Sequence, residues 1–382
     1  MKIHYACFDA FPTSKGASTH IYHTIKALEP LTDRLNLYCL RGGDDAGKDF
    51  GNATYIYDFH YPDKGDNYPK KAGLFTEKIF DCMEVAREEG IAQFRDIWGG
   101  LGMINRPNLK TIFEVNALTS LELPVRYPLL TESFIKNIEQ LENTCLQSCN
   151  HIITPSAVTK KYIESRFQIS ESKITVIPNG AEIDISTRVV DSLPADYLVY
   201  FGALQPWQGV DILIKSFKYL EDYPQLKLII CSSVKEKFNK NYDKLIQNLG
   251  FKDKIIFYNE LDKESLHYII KNSKASVAPL KFGDRNMVQG CCPIKILETM
   301  ASKTPLIASD LPVVRELIGE NYAFLFEPED ETDLSRCIRF ILDNPTPAKD
   351  KAFQGYEFFK AHFTWQHHTK KLQDVYFKLY KS

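Results

Sequence analysis

Short apolar runs alternate with amphipathic segments along most of the chain. Ile3–Phe8 and Thr111–Val115 have the composition of buried strands, and Thr131–Cys149 repeats its apolar residues at helical spacing. The alternation restarts at Leu198–Phe201, after a polar stretch with a proline at Asp184–Tyr197. Strands that alternate with helices are typical of parallel sheets covered by helices on both faces. The pattern therefore predicts the α/β class, with two doubly wound parallel sheets.

The restart also predicts where the domains begin and end. A chain of 382 residues is longer than a single hydrophobic core usually supports. We expect one domain over residues 1–184 and a second over residues 195–365, facing each other across a cleft. The last helical segment, residues 366–382, is expected to pack back on the first domain.

One stretch, Ala278–Glu316, has the pattern of an anion-binding site. An apolar run leads through a polar loop to Gly290–Cys292, and a helix is predicted over Pro293–Ser302 with the proline at its first position. The unbonded N–H groups and the dipole of a helix N-terminus attract phosphate. Glu298, in the same helix, would reach the sugar hydroxyls of a ligand whose phosphates rest there.

The first domain opens in a similar way, with a strand, a loop that holds Gly16 and a helix over about Ser18–Leu28. Only one glycine is present, so the dinucleotide motif G-x-G-x-x-G is absent. Further along, the strand Thr111–Val115 brings Glu114 and Asn116 to its carboxyl end. Ligands of open α/β sheets bind at such strand ends, so we expect both residues beside a cleft.

Composition narrows the class of partner. The net charge of −2 gives no reason to expect nucleic acid. The nine cysteines include no C-x-x-C pair, which argues against a zinc site or a disulfide framework and favours the reducing cytoplasm. No apolar run reaches the roughly 20 residues that span a bilayer. A peripheral contact with the inner face of the membrane stays open.

Beyond these patterns, the chain resembles the retaining GT-B glycosyltransferases of family 4. The resemblance lies in patches that together cover nearly the whole chain: Lys15-Gly16-Ala17, Ile177–Gly180, Tyr200–Leu204 with Gln208–Asp211, Pro293–Glu298 with Pro305–Glu316, and Phe363–Trp365. It implies two Rossmann-like domains, a nucleotide-sugar donor as co-substrate, no metal and no resident cofactor. It also implies that a sugar, as in hexosyltransferases, moves with retained configuration to a hydroxyl acceptor, in the synthesis of a glycan, a cell-surface polysaccharide or a glycolipid.

The chain departs from the family pattern where that pattern holds the donor diphosphate. The first motif glutamate of the family falls at Gly290, its arginine and lysine fall at Ala203 and Gln208, and a histidine of many members falls at Asn116. Diphosphate binding would then depend on backbone N–H groups of Gly290–Ile294 and on a replacement cation.

The resemblance and the departures together predict a set of site residues. The candidate replacement cations are Lys295, Arg285 and Lys281. Glu298, Asn116 and Lys295 are expected to take part in catalysis. The expected donor-binding residues are Gly16, Ala17, Gly202, Trp207, Gln208, Arg285, Gly290, Cys291, Cys292, Pro293, Ile294 and Glu298.

Two other functions are compatible with the sequence. The missing basic residues at Ala203 and Gln208 would suit a subunit that binds nucleotide sugars without catalysis. Another activity of the GT-B fold, such as sugar-nucleotide epimerisation or phosphorolysis, would use the same architecture. The choice between a UDP- and a GDP-sugar stays open, as does the acceptor, whether glycan, lipid or small molecule.

Overall fold

The structure, a computed structural model, describes residues 1–13, 16–43, 54–59, 67–183, 186–232, 236 and 239–381. Contacts divide the chain into two compact units. Unit 1 comprises Met1–Pro178, Val288–Cys291 and Gln366–Ser382, and unit 2 comprises Asn179–Met287 and Cys292–Trp365. Lys15 of the predicted glycine loop and Asp184 of the predicted linker lie outside the described residues.

The sheet of unit 1 has seven parallel strands within the described residues: β1 (Lys2–Phe11), β2 (Arg34–Arg41), β3 (Thr54–Phe59), β4 (Gly90–Phe94), β5 (Leu109–Glu114), β6 (His151–Thr154) and β7 (Ile174–Val176). Their spatial order is β3-β2-β1-β4-β5-β6-β7. The order reverses between β1 and β4, and open α/β sheets bind their ligands outside the strand ends at such a switch point.

Four of the described helices of unit 1 begin at a residue whose side chain accepts hydrogen bonds from their first N–H groups. The described helices before residue 178 are α1 (Gly16–Leu28), α2 (Tyr68–Val85), α3 (Ile97–Met103), α4 (Thr119–Arg126), α5 (Glu132–Ser148) and α6 (Ala157–Phe167). Asn67, Asp96, Thr131 and Ser156 cap α2, α3, α5 and α6, respectively. Each cap satisfies N–H groups that have no partner within the helix.

Unit 2 repeats this architecture with six parallel strands in its described part: β8 (Tyr197–Gly202), β9 (Lys227–Ser232), β10 (Ile255–Asn259), β11 (Ala275–Ala278), β12 (Leu306–Ser309) and β13 (Phe324–Phe326). Their order is β10-β9-β8-β11-β12-β13, so the switch point lies between β8 and β11. The predicted class, α/β with two doubly wound parallel sheets, is therefore confirmed.

The helices of unit 2 are mostly short and begin close to the carboxyl ends of the strands. They are α7 (Val210–Ser216), α8 (Lys240–Leu249), α9 (Lys263–Asn272), α10 (Ile294–Ala301), α11 (Pro312–Arg315), α12 (Glu331–Asp343) and α13 (Pro345–His362). The last helix, α14 (Trp365–Lys381), starts at the end of unit 2 and lies almost entirely in unit 1.

Local hydrogen bonding changes two elements that the apolar pattern suggests. The run Phe94–Trp98 has a strand-like composition, but the strand ends at Phe94 and α3 follows. The reason is Asp96, whose carboxylate accepts a hydrogen bond from the Gly99 N–H at 2.9 Å and so starts a helix. In the second case, Pro293 precedes α10 as its N-cap and is not its first helical residue.

The segment Gln366–Lys381 of α14 is part of the core of unit 1. Leu372 and Tyr376 are completely buried among apolar side chains of β1, β2, β4 and α1. The Tyr376 hydroxyl donates a hydrogen bond to Gln93 Oε1 in β4 at 2.8 Å. Gln373 donates to a backbone carbonyl at the end of α1. The helix is thus fixed to the sheet by both apolar burial and polar contacts.

Replacing Tyr376 by alanine should therefore destabilise unit 1 by about 3–5 kcal/mol, since it leaves a cavity where a buried aromatic ring was. Tyr376→Phe should cost about 1–2 kcal/mol, because only the hydroxyl is lost. Tyr380→Ala is the matched control, since Tyr380 lies in the same helix but is 60% exposed. Urea unfolding measures all three variants. Equal stability of the Tyr376→Ala and Tyr380→Ala variants would contradict the described packing.

Candidate active site

The loops at the switch point of unit 2 bring Lys295 into contact with predicted donor-binding residues. Its Nζ lies 2.5 Å from Gln208 Oε1 and 4.2 Å from the centre of the Tyr200 ring. The Tyr200 hydroxyl donates to the Ala203 carbonyl at 2.5 Å. A Cβ atom on Gly202 would come within 3.4 Å of the ammonium. The Lys295 ammonium therefore lies beside the segment in which the family pattern has its arginine and lysine.

Two glycines allow these loops to pass close to their neighbours. Gly202 ends β8 with φ at +125°, a conformation that side-chain-bearing residues rarely adopt. Gly209 has φ at +69°, and a Cβ atom there would lie 1.7 Å from the Pro279 carbonyl oxygen. The close approach fixes the loop after β8 against the end of β11. From this end of β11 the chain continues toward α10.

Trp207 contributes to the site through its backbone. Its carbonyl accepts hydrogen bonds from the Lys281 N–H at 3.0 Å and from Asn286 Nδ2 at 3.1 Å. Asn286 is 1% exposed and also donates to the Lys281 carbonyl at 2.7 Å. This asparagine ties the two loops of the switch point together. Nothing in the sequence distinguishes it from the other polar residues of its loop.

The three candidate cations have different surroundings. The Lys281 ammonium forms an ion pair with Asp211 at 2.8 Å, so its charge is already matched. Arg285 is partly buried and opens a π-helical turn that ends at Gln289. Lys295 contacts an amide oxygen and an aromatic face, both of which attract a cation.

Glu298 lies in the middle of α10 and is partly buried. Burial raises the pKa of its carboxyl, Lys263 and Lys295 act in the opposite direction, and Glu182 adds to the rise. Lys263 and Glu182 form an ion pair at 2.6 Å. The carboxyl of Glu298 thus lies among charges of both signs, from Lys263, Glu182 and Lys295.

The predicted glycine–cysteine segment is divided between the two units. Gly290 and Cys291 belong to unit 1, whereas Cys292, Pro293 and Ile294 belong to unit 2. The Cys292 carbonyl accepts a hydrogen bond from Asn179 Nδ2 at 3.0 Å. That asparagine belongs to the Pro178-Asn179-Gly180 turn. The turn matches the family pattern in the sequence, but the sequence alone predicts no contact for it.

Gly290 has a reason to be glycine that is independent of any ligand. Its φ is +80°, and a Cβ atom would lie 2.6 Å from Thr159 Oγ1, 2.7 Å from Thr159 N and 2.8 Å from Ser156 Oγ. Gly290 therefore packs against the first turn of α6. A glutamate, which the family pattern has at this position, would not fit.

At the switch point of unit 1, Glu114 is the centre of a buried polar network. It is 2% exposed, and its Oε1 lies 2.5 Å from Asn116 Nδ2, 3.2 Å from His20 Nδ1 and 3.6 Å from Arg95 Nε. Its Oε2 accepts hydrogen bonds from the Tyr5 hydroxyl at 3.0 Å and from Gln93 Nε2 at 2.6 Å. Neighbouring strands and α1 supply these partners.

The charges in this network have a definite pattern. Burial, and then the charge of Arg95, lower the pKa of His20 well below its usual range, so that imidazole is neutral. Burial alone would lower the pKa of Arg95, but Glu114, Tyr5 and Asp9 raise it, so the guanidinium stays charged. Arg95 therefore compensates the Glu114 carboxylate, Tyr5, Gln93 and Asn116 act as neutral donors, and His20 Nδ1 accepts a hydrogen bond from Arg95 at 3.2 Å.

The loop that carries Asn116 is held on both sides. The Val115 N–H donates to the backbone of β6, and the Leu118 N–H donates to Gln289 Oε1 at 3.3 Å. Ser120 donates to the fully buried Glu142 through its N–H at 2.9 Å and its hydroxyl at 2.5 Å. Burial raises the pKa of Glu142 to about 7, and the bonds from Ser120 limit the rise. Asn116 thus projects from an anchored backbone.

Gly16 and Ala17 start α1, at the same edge of the sheet of unit 1. Gly16 is exposed, and a Cβ atom there would meet nothing within 4 Å. Ser18 next to them is buried and accepts a hydrogen bond from the Thr13 N–H at 2.9 Å. The described contacts leave the surface at Gly16 open, and whether a donor binds there stays a prediction.

Two searches of the described residues concern other classes of site. No group of three or more His, Cys, Asp or Glu side chains among them is arranged to hold a metal ion. No helix among them combines the length and the apolar character needed to cross a membrane.

Comparison with known families matches both halves of the chain. A family described as Glycosyltransferase Family 4 matches residues 14–185, and one described as Glycosyl transferases group 1 matches residues 190–357. The O-antigen chain mannosyltransferase of Salmonella typhimurium is 27% identical over 224 residues, which are 58% of this chain and 59% of that protein. The chain thus spans somewhat under two thirds of this curated relative.

Solved structures match over the whole length. Sucrose-phosphate synthase from Thermosynechococcus elongatus superposes with a TM-score of 0.82 at 17% identity, covering 100% of this chain and 99% of that one. The Anabaena protein HepE, solved in complex with UDP and glucose, has a TM-score of 0.76 at 14% identity, covering 98% and 99%. At such low identity these likenesses establish the fold.

Gly290→Ala should destabilise the protein by about 1–3 kcal/mol, because it combines a strained backbone with a steric overlap at α6. Gly319→Ala is the control, since a Cβ atom there meets nothing within 4 Å. Thermal unfolding of both variants provides the measurement. A Gly290→Ala variant with the melting temperature of the parent would show that the contact with Thr159 and Ser156 is not maintained.

The pKa of Glu142 predicts how stability depends on pH. Because its pKa is about 7 in the folded protein against 4.5 for an unperturbed glutamate, the folded state binds the extra proton between these values. The resulting stabilisation is complete below about pH 4.5 and lost as the pH rises through 7, and it amounts to at most about 3 kcal/mol. The stability of the parent relative to Glu142→Gln should therefore fall between about pH 4.5 and 8.

Unfolding of both proteins across this pH range tests the prediction. The control is Glu132→Gln, because Glu132 lies exposed at the start of the same helix. A stability difference between the parent and Glu142→Gln that does not change with pH would rule out the raised pKa.

Proposed function

Because the chain belongs to the family 4 glycosyltransferases of the GT-B fold, we propose that it transfers a sugar from a nucleotide diphosphate sugar to a hydroxyl acceptor. The reaction is proposed to retain the configuration at the anomeric carbon and to need no metal. The acceptor belongs to glycan, cell-surface polysaccharide or glycolipid synthesis. The O-antigen mannosyltransferase among the relatives supports this class of acceptor.

The observation that carries the proposal is the position of Lys295. The transferase reaction requires positive charge where the leaving diphosphate develops negative charge. The chain lacks the basic residues of the family at Ala203 and Gln208, but the Lys295 ammonium lies 2.5 Å from Gln208 Oε1 and beside Gly202. A cation from α10 is therefore available beside the same loop, which favours an active transferase over a subunit that only binds nucleotide sugars.

In this proposal, Lys295 and the N–H groups at the start of α10 bind the diphosphate. Glu298, on the same helix, binds hydroxyl groups of the donor. The bond between the anomeric carbon and the phosphate oxygen breaks, and the acceptor oxygen forms the new bond on the same face. The acceptor proton passes to the leaving phosphate oxygen, so that no protein base is needed for it.

The donor and the compartment are also proposals. The Anabaena neighbour was solved with UDP and glucose, so UDP-glucose is the first donor to test. The mannosyltransferase among the relatives makes GDP-mannose the second. The nine unbridged cysteines suit the reducing cytoplasm. A peripheral contact with the inner face of the membrane would suit a lipid-linked acceptor.

Release of nucleotide from UDP-glucose and GDP-mannose, with and without candidate acceptors, tests the proposal directly. Replacing Lys295 by methionine removes the charge but keeps most of the side-chain volume. It should lower kcat/KM by about 100-fold or more, since a charge-assisted contact to a buried phosphate contributes at least about 3 kcal/mol to the transition state. Lys244→Met, at an exposed position of α8, should leave it unchanged.

The swap Gln208→Lys with Lys295→Met restores a cation at the position of the family and should recover activity that Lys295→Met alone loses. Binding of UDP and GDP, measured by calorimetry, separates the outcomes. Nucleotide binding without any turnover would instead favour the inactive binding subunit. Conversion of the nucleotide sugar to an epimer would favour the epimerase. Unchanged turnover by the Lys295→Met variant would show that Lys295 does not bind the donor diphosphate.

A further inference from the structure

Glu114 makes more polar contacts than are needed to neutralise its single buried charge. Its two oxygens contact five side chains, from Tyr5, His20, Gln93, Arg95 and Asn116. Arg95 alone supplies the positive charge, and the remaining partners are uncharged. A carboxylate accepts hydrogen bonds and donates none, so the Tyr5 hydroxyl and the amide nitrogens of Gln93 and Asn116 are the donors in their contacts with it. The network therefore determines which way each amide points.

The direction of the Gln93 amide is set from the C-terminal helix. The Tyr376 hydroxyl donates to Gln93 Oε1 at 2.8 Å, which leaves Gln93 Nε2 to donate to Glu114 Oε2 at 2.6 Å. All three side chains are buried. A hydrogen-bonded chain thus runs from α14 through β4 to the end of β5, and its polarity is the same at each step.

Asn116 is the last member of this chain and the one that reaches the surface. Its Nδ2 lies 2.5 Å from Glu114 Oε1, and its side chain is partly exposed. The nitrogen and the oxygen of an amide point in different directions from the same carbon, so with Nδ2 on Glu114 the Oδ1 atom is turned away from that carboxylate. The backbone around Asn116 is held by contacts of Val115, Leu118 and Ser120. Both the position and the orientation of the amide are therefore fixed.

We propose that Glu114 is a positioning residue that locks the Asn116 amide with its carbonyl oxygen turned outward, as a hydrogen-bond acceptor for a sugar hydroxyl. This inference rests on the proposed function, because it assigns a role within the same reaction. An amide oxygen accepts a hydrogen bond but takes up no proton at neutral pH, so Asn116 orients a hydroxyl and does not act as a base. A lone asparagine could turn its amide over and offer a donor, whereas Glu114 prevents this.

A double-mutant cycle that exchanges the two side-chain types tests the orientation. In Glu114→Gln, the oxygen must still face Tyr5 and Gln93, so the new NH2 group faces Asn116. Asn116 then turns its amide and presents Nδ2 outward. In Asn116→Asp, two carboxylates meet. In the double variant, a carboxylate at position 116 accepts from the NH2 group at position 114 and again presents an oxygen outward, with the net charge of the parent.

Each single change should lower kcat for nucleotide release in the presence of acceptor by about 10- to 100-fold, the effect of one misdirected hydrogen bond to a buried group. The double variant should regain at least about tenfold over either one. Its melting temperature should also exceed the value expected from adding the two single shifts. Glu77→Gln and Asn137→Asp make the same chemical changes at positions of α2 and α5 away from this network and should alter neither quantity.

The melting temperature and kcat test different parts of the proposal. Additive shifts of the melting temperature would overturn the proposed orientation, whatever the activity. Coupled stability with additive losses of kcat would show that the amide is oriented but contacts no reacting hydroxyl, which overturns the role in transfer. If the parent protein released nucleotide from no sugar donor, the proposed function would fall together with that role, while the unfolding cycle would still decide the orientation.

Discussion

A carboxylate buried at the end of a sheet must be matched by donors and by positive charge, and much of unit 1 depends on how Glu114 meets this requirement. An unpaired buried carboxylate would cost several kcal/mol. Arg95 supplies the charge, and Tyr5, Gln93 and Asn116 supply hydrogen bonds from β1, β4 and the loop after β5. Because the Tyr376 hydroxyl donates to Gln93, hydrogen bonds connect the C-terminal helix to the loop at the other end of the network.

At its own switch point, unit 2 places a cation next to uncharged polar and aromatic groups. The Lys295 ammonium rests against the Gln208 amide oxygen and the face of Tyr200, both of which attract a cation but carry no net charge. The replacement of a basic residue by Gln208 is therefore consistent with a cation that reaches the same loop from α10.

Sterics account for the other departure from the family pattern. Gly290 packs against the first turn of α6 with a left-handed backbone, where no side chain fits beside Thr159 and Ser156. The absence of a glutamate there is consistent with this packing. The neighbouring Gln289 contributes to the same arrangement, because its side chain accepts the N–H of Leu118. The short segment Val288–Cys291 thus helps to support the loop that carries Asn116.

The sequence by itself determined the fold class, because buried parallel strands and amphipathic helices leave a periodic apolar pattern that local composition records. It also placed Asn116 at a strand end and Lys295 and Glu298 in the helix after the glycine-bearing loop, where motif spacing is informative. Only the tertiary structure decided which of these side chains meet. Lys295 and Gln208 lie 87 positions apart, and Glu114 and Tyr5 lie 109 apart. Contacts at such separations depend on strand order and loop geometry, which no local pattern encodes, and so the roles of Glu114, Asn286 and Tyr376 became visible only in the folded chain.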